Sequence, residues 1–361
     1  FFQDLFTILV LLAVGYALFR RLVLKPARLE NSLEAYFILS LITILMLTSL
    51  GEQASAALTA GQALPGYRFA VGLTASLLAP LPAATISVTG GISWWVHFLA
   101  FWTFLCYLPY SKHFHVILAI FNVYFRGLTP AGEIPKLDLE NSSQFGTAKL
   151  NEFSWKDILD AFTCVECGRC TEQCPALQSG KHLDPREIVL GLRRYALAQA
   201  KARELPEIFS EYIKVEDLWS CTTCRACVEA CPVMIEQLPK ILSLRQHLTL
   251  MKGEFPEQAQ TACRNMEVNS NPWGMNNSDR QNFLREAGVP EFDPAKHQYL
   301  FYTGCAGAFD ELGQRVTRQV ARLLKEAGVS FGVLFAGETC CGETARRLGN
   351  EYLYQAMATA L

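Results

Sequence analysis

Charge is what the first third of this 361-residue chain lacks. Residues 1–130 hold four acids (Asp4, Glu30, Glu34, Glu52) and seven bases (Arg20, Arg21, Lys25, Arg28, Arg68, Lys112, Arg126). The whole chain has 34 and 32. Such a segment is too apolar to be disordered or fully solvated, so the average composition hides a greasy first third and an ordinary soluble remainder. Net charge is also scarce: −2 overall leaves no basic footprint, and nucleic acid is not expected as a partner. Histidine is absent before His97, and Cys106 is the one cysteine before residue 163. No G-x-G-x-x-G, P-loop or H-E-x-x-H stands in a supporting context, so no nicotinamide or flavin site is expected.

The greasy third contains three long apolar runs, at 5–24, 33–50 and about 92–125. A crossing needs roughly 20 apolar residues because the hydrocarbon core is about 30 Å thick. The first run is followed by its basic residues rather than preceded by them, which separates it from a signal peptide. Arg20, Arg21, Lys25 and Arg28 mark the loop after it as cytoplasmic. Three spans then put residues 20–30 and 126 onward on the cytoplasmic side and 51–91 outside. Residues 65–91, broken by Pro80, Pro82 and a Gly pair, are expected as a re-entrant or surface segment. The expected location is the inner (cytoplasmic) membrane, multi-pass, in contact with lipid.

The third run carries His97, His113 and His115. An ionisable residue inside a span is a functional hypothesis by default. On one continuous helix, His97 and His115 lie 18 residues apart, roughly 27 Å and five whole turns. They would project from one face near opposite membrane surfaces, as two stacked haems require. Imidazole is a common axial ligand of haem iron. The bland alternative is an interfacial role, like that of Trp94, Trp95 and Lys112. The segment HFLAFWTFLCYLPYSKHFH (97–115) resembles the last span of the nitrate reductase gamma subunit family. That family has His, then Pro 12 residues on, Ser at 14, a base at 15 and His at 18. The matching residues here are His97, Pro109, Ser111, Lys112 and His115. The resemblance implies up to two b haems, with His97 a ligand of the outer and His115 of the inner one; His113 is the substitute candidate. The family's opposing histidines sit on an earlier span. They are expected upstream of Phe1, with the three spans matching the family's third to fifth.

Twelve of the thirteen cysteines follow residue 163, in tight clusters. Clustering favours metal ligation in a reducing compartment over a disulfide framework. CVECGRCTEQCP (164–175) and CTTCRACVEACP (221–232) are both C-x2-C-x2-C-x3-C-P runs, the bacterial ligand pattern for [4Fe–4S] clusters. In such pairs the fourth cysteine turns toward the other cluster. The first cluster is therefore expected on Cys164, Cys167, Cys170 and Cys231, and the second on Cys221, Cys224, Cys227 and Cys174. Structural zinc, the competing reading, usually shows C-x2-C units across a longer gap. The helical insert between the runs resembles the α-helical ferredoxin modules of fumarate reductase and heterodisulfide reductase relatives.

Residues 297–361 read as an α/β unit: a strand at 297–304, Cys305, a helix from about Asp310 to Ala327 ended by Gly328, and a strand at 329–336 leading to Cys340, Cys341 and Gly342. YTGC and GETCCG resemble the first half of a CCG domain. The resemblance implies that Cys305, Cys340 and Cys341 hold an additional iron–sulfur cluster. Buried thiols are the plain alternative. Cys263 reads as a packed thiol, and His182, His247 and His297 as ordinary histidines. The chain opens inside an apolar run without Met and stops soon after the CCG motif, so it reads as a fragment.

The expected class is mainly α: a partial transmembrane domain (1–128), a two-cluster ferredoxin-type domain (150–255), a linker (256–296) and a truncated CCG domain (297–361). This order resembles membrane-bound, heterodisulfide-reductase-like iron–sulfur oxidoreductases, including those linking electron-transfer flavoprotein to quinone. The resemblance implies an oxidoreductase between a cytoplasmic redox protein, electron-transfer flavoprotein being one such donor, and membrane quinone. Two other functions stay open: a thiol–disulfide reductase acting at the CCG cluster, and a non-catalytic electron-transfer subunit of a larger respiratory complex.

Overall fold

The computed structural model describes every residue except 30, 31, 131, 203–205 and 210. The chain is mainly helical and falls into two bodies. One comprises Phe1–Gly127, Ile158–Cys174 and Cys227–Ile235; the other comprises Leu128–Asp157, Pro175–Ala226 and Glu236–Leu361. The first ferredoxin run and the end of the second lie in the body that holds the apolar helices.

In the first body, α1 (Phe2–Phe19) continues as a wider π turn over Arg20–Leu24 and stops at Lys25, which takes a left-handed conformation (φ 42°). The Ser32 hydroxyl accepts the Ala35 N–H and caps α2 (Leu33–Thr59). A short helix, α3 (Phe69–Leu78), precedes α4 (Ala83–Tyr107), which starts after Pro82. Among the described residues, three stretches are long and apolar enough to cross a membrane: Phe2–Leu24, Leu33–Thr59 and Ala83–Tyr110. The third therefore begins earlier and ends sooner than the expected 92–125. Within 65–91 only α3 stands apart from a span. At 10 residues it is too short to cross. It packs on α2 through Leu50, Ala54, Ala70, Val71 and Ala75. The buried Asp4 carboxylate, far away in sequence, accepts the Ala70 and Val71 N–H groups (2.9 and 3.1 Å) and so caps α3.

Small residues bring α2 and α4 together. A Cβ on Gly51 would lie 2.7 Å from the Ser93 hydroxyl, and one on Gly90 would lie 3.0 Å from the Ser55 Cβ. Close approach at small residues is how helices gain dispersion contact where lipid removes the hydrophobic drive.

The continuous helix expected from His97 to His115 does not form. Pro109 has no N–H to continue the ladder, and the chain tightens into a 3-10 turn at Leu108–Tyr110. Ser111 is extended (φ −104°, ψ 160°), and its hydroxyl accepts the His113 N–H. A new helix, α5 (His115–Tyr124), starts at His115. The shared-face geometry of five whole turns is therefore corrected: the two histidines sit on different helices.

In the second body, Asp184 caps α6 (Pro185–Gln199), which buries Ile188, Val189, Leu192 and Tyr195. A further helix, α7 (Gln237–Gln246), runs into a π turn at His247–Lys252 and ends at Gly253 (φ 69°). Then come α8 (Glu257–Asn269), β1 (Tyr299–Leu300), α9 (Glu311–Glu326), β2 (Phe331–Gly332) and α10 (Glu351–Ala360). The strands pair in parallel, Tyr299 with Phe331 and Leu300 with Gly332. They are shorter than expected because the ladder is interrupted: the Thr303 and Gly304 N–H groups turn to the Glu338 carboxylate (3.2 and 2.9 Å).

Residues 256–296, expected as a linker, supply core. Cys263 and Met266 pack with Cys340, Ala345, Leu353 and Met357. Leu284 and Val289 pack with Ala321, Phe331, Val333 and Phe335.

Candidate iron–sulfur and haem sites

The two cysteine runs bend alike. Glu166 (φ 56°) and Gly168 (φ 70°) take left-handed conformations in the first; Thr223 (φ 57°) and Arg225 (φ 66°) do so at the matching positions of the second. Left-handed backbone costs a non-glycine residue roughly 1–2 kcal/mol. Three such residues persist only where the surroundings demand that turn.

Within the first body, Cys164, Cys170 and Cys231 are buried and Cys167 is partly so. Burial pushes the Cys231 thiol up, and the neighbouring Cys167 adds to it. The Ile235 N–H donates to Cys231 Sγ (3.3 Å). Cys231 and Cys167 thus lie near enough in the first body for their charges to interact. Of the other four, Cys174 and Cys227 lie in the first body, and Cys221 and Cys224 in the second. The Thr223 N–H donates to Cys221 Sγ (3.3 Å).

The first run sits against the apolar helices. Arg28 pairs with Glu172 (3.0 Å), and its carbonyl lies 2.4 Å from where a Cβ on Gly168 would be. Lys112, largely buried, faces Glu166 (3.7 Å) and Glu34 (4.0 Å) and donates to the Ser32 hydroxyl (2.8 Å). Asn122 of α5 is fully buried and donates to the Val233 carbonyl (2.8 Å), just past Cys231.

Lys112 also touches the haem candidate. Its carbonyl takes the His115 Nδ1 contact at 2.6 Å. A carbonyl only accepts, so Nδ1 carries the proton and the Nε2 lone pair is left for a metal. His97 Nδ1 lies 3.0 Å from the Thr48 hydroxyl, whose own proton goes to the Ile44 carbonyl (2.6 Å). The Thr48 oxygen therefore accepts from His97, and Nε2 is again left. Ligating histidines usually hold their second nitrogen in this way. His113 stacks edge-on between Phe104 and His115 (ring centroids 5.9 and 5.6 Å).

In the second body Arg245 is buried and donates to the carbonyls of Leu218 (3.0 Å), Cys221 (2.6 Å) and Arg347 (2.7 Å). It also stands over the Trp219 ring. It thereby ties the second run to the segment after the CCG motif. Arg347 returns a bond to the Thr222 carbonyl (3.3 Å).

The structure brings Cys305, Cys340 and Cys341 together. The Cys340 thiol hydrogen-bonds to both neighbours. These bonds raise Cys340 and lower Cys305 to about 7 and Cys341 to about 6. Arg280 donates to Cys305 Sγ at 3.2 Å. Gly342 needs its left-handed turn (φ 74°): a Cβ there would lie 3.2 Å from the backbone of Tyr354. Among the described residues, no three Cys, His, Asp or Glu side chains close on a single metal ion.

Sequence reasoning found the thiols and histidines but missed Glu166, Asn122, Arg245, Arg280 and Glu338. None of these stands in a periodic or spaced pattern that would have marked it.

Residues 156–232 match the 4Fe-4S dicluster domain, and residues 299–360 match the cysteine-rich domain. The chain is 34% identical to the probable iron-sulfur-binding oxidoreductase FadF of Bacillus subtilis, over 99% of this chain and 57% of that protein. It is likewise 34% identical to the EtfAB:quinone oxidoreductase of Syntrophomonas wolfei, over 99% of this chain and 56% of that protein. Identity is 28% to a component of the dihydromethanophenazine:CoB–CoM heterodisulfide reductase of Methanosarcina mazei, over 54% of this chain and 49% of that protein. The chain thus spans little more than half the length of the first two relatives. No solved structure gives a significant match.

Proposed function

We propose that the chain is the electron-conducting part of a membrane-bound iron–sulfur oxidoreductase. It passes electrons from a soluble cytoplasmic donor, of the electron-transfer-flavoprotein kind, to a membrane quinone. The eight cysteines of the two runs hold the [4Fe–4S] clusters, paired as the motif pattern implies. Cys305, Cys340 and Cys341 hold a further one, and His97 and His115 each bind a b haem. When bound, these groups supply single-electron transfer. The protein's part is to seat them and to set their order. Apolar helices lie in the bilayer of the cytoplasmic membrane, with the cysteine runs on its inner side.

One observation carries this reading. Lys112 holds the tautomer of His115 through its carbonyl and faces Glu166, the residue before Cys167, through its ammonium. The first cysteine run is therefore fastened at the foot of a haem-ligand candidate inside one body. Arg245 fastens the second run to the CCG segment inside the other.

The test uses detergent-solubilised, anaerobically prepared full-length protein. Reduced electron-transfer flavoprotein should reduce a menaquinone analogue through it, and a reduced-minus-oxidised spectrum should show b-type bands. His97→Ala should remove one b-type contribution and leave the iron–sulfur signals. An unchanged spectrum ends the haem assignment, and reduced clusters that never reduce quinone end the functional one.

A second reading is favoured by the shared hydrogen bonds of Cys340 with Cys305 and Cys341. Three thiols in contact, two of them acidified, suit reductive cleavage of a disulfide between two small thiols. Quinol-driven reduction of such a heterodisulfide would select this reading.

A further inference from the structure

The cysteine-rich site rests on a buried ion pair that neither the motif nor the comparisons mark. Arg280 and Glu338 have no solvent-exposed side-chain surface, and their charges meet at 2.8 Å. Removing two charges from water is costly, and such pairs often contribute nothing net to stability. A pair kept in a core therefore invites a reason beyond packing.

The partners supply one. Both oxygens of Glu338 are filled: Arg280 and the Gly304 N–H (2.9 Å) on one, Gln281 Nε2 (2.6 Å) and the Thr303 N–H (3.2 Å) on the other. Glu338 thus has no capacity left for the cysteines and serves to hold the loop bearing Cys305. Arg280 is fixed from three more sides. Nε donates to Asn277 Oδ1 (2.9 Å), Nη2 reaches the Ser270 carbonyl (3.4 Å), and the guanidinium lies over Phe309 (5.1 Å). The one contact that aims it at a candidate ligand is Nη2 to Cys305 Sγ, at 3.2 Å. Ser270 also accepts the Cys340 N–H (3.1 Å), so one backbone carbonyl orients both the arginine and the second thiol.

We propose that Arg280, clamped by Glu338, is a positioning residue that raises the reduction potential of the iron–sulfur centre at Cys305, Cys340 and Cys341. This rests on the reading of those three cysteines as cluster ligands. Reduction adds one electron, delivered by the soluble donor, and with it one negative charge spread onto the thiolate sulfurs. A fixed cation with an N–H···S bond stabilises the reduced form more than the oxidised form, and low-dielectric surroundings enlarge that difference. The centre then accepts electrons more readily than it would in an apolar pocket, as the first acceptor in the series should.

Two variants test it, by redox titration followed by electron paramagnetic resonance on the full-length protein. Arg280→Lys keeps the ion pair but loses the fork that reaches both Glu338 and Cys305. Arg280→Met with Glu338→Gln removes both charges, leaves no buried charge unpaired, and keeps an acceptor oxygen for one of the two N–H groups, Thr303 or Gly304. In both, the third centre should be about tenfold harder to reduce at a fixed poise, which is 59 mV for a one-electron couple. The two ferredoxin centres should stay where they were, a pattern that a merely structural role would not produce. A third signal of unmoved potential in the folded double variant overturns this inference alone. Wild-type protein with no third signal overturns the ligand reading beneath it.

Discussion

Arg245→Ala should cost the protein its second ferredoxin centre while leaving the first in place. The Arg245 side chain is buried and donates to three carbonyls from two distant segments, Leu218 and Cys221 on one side and Arg347 on the other. Truncation leaves those carbonyls without their donor in a place that water cannot readily reach. Hydrogen bonds from a charged group are worth about 1.5–3 kcal/mol each, and a set sharing one donor is not additive. A loss of about 3–5 kcal/mol is expected, a large part of the roughly 5–15 kcal/mol that a domain has. Cys221 is the first ligand candidate of its run, and its carbonyl is one of the three. On the proposed reading of three clusters, iron analysis should fall by about one cluster in three, and the urea midpoint should drop. Arg245→Lys should recover only part, because an ammonium has no planar fork. Full iron content with an unchanged midpoint would contradict the assignment.

Gly168→Val should have a comparable effect on the first body. At this position the two runs differ: Gly168 in the first, Arg225 in the second, both left-handed. The turn itself therefore tolerates a side chain. What forbids one at 168 is the Arg28 carbonyl, 2.4 Å from a would-be Cβ, where backbone has little room to give. The valine adds roughly 1–2 kcal/mol of backbone strain for a non-glycine residue and about 1–3 kcal/mol of overlap, more if the loop lifts off. Lifting would also part Arg28 from Glu172 and Lys112 from Glu166. On the proposed reading, the expected outcome is reduced clusters that no longer pass electrons to the membrane, read as slow quinone reduction after a pulse of donor. Arg225→Gly, the mirror change, relieves strain and should leave transfer intact. If both variants behaved alike, contact with Arg28 would not be the deciding factor.

Legibility stops where contacts between distant segments begin. The cysteine spacing is local: seven residues confine three thiols to one loop, whatever the rest of the chain does. Apolar runs are equally local, because span length follows from rise per residue. The stop at Gly328 was readable for the same reason. The break at Pro109 was also written in the chain. It was outweighed by a run of apolar residues that looked continuous from Ile92 to Phe125, although a proline inside such a run is a helix-ending signal. Residues 256–296 looked like a linker because Cys263, Met266, Leu284 and Val289 are spread thinly along them. Their partners, such as Cys340 and Phe331, lie tens of residues away.

Sequence alone determined the kinds of group present and their order: apolar helices, two four-cysteine runs, then a cysteine-rich half-domain. Tertiary structure decided which neighbours tune them. Lys112 meets Glu166, Arg28 covers Gly168, Asn122 reaches Val233, and Arg280 is held by Glu338 against Cys305. Local patterns arise from covalent geometry and report what one loop or helix can present. Contacts between segments 25 to 140 residues apart arise from the packing free energy of the whole chain, and no period or spacing within either segment encodes them.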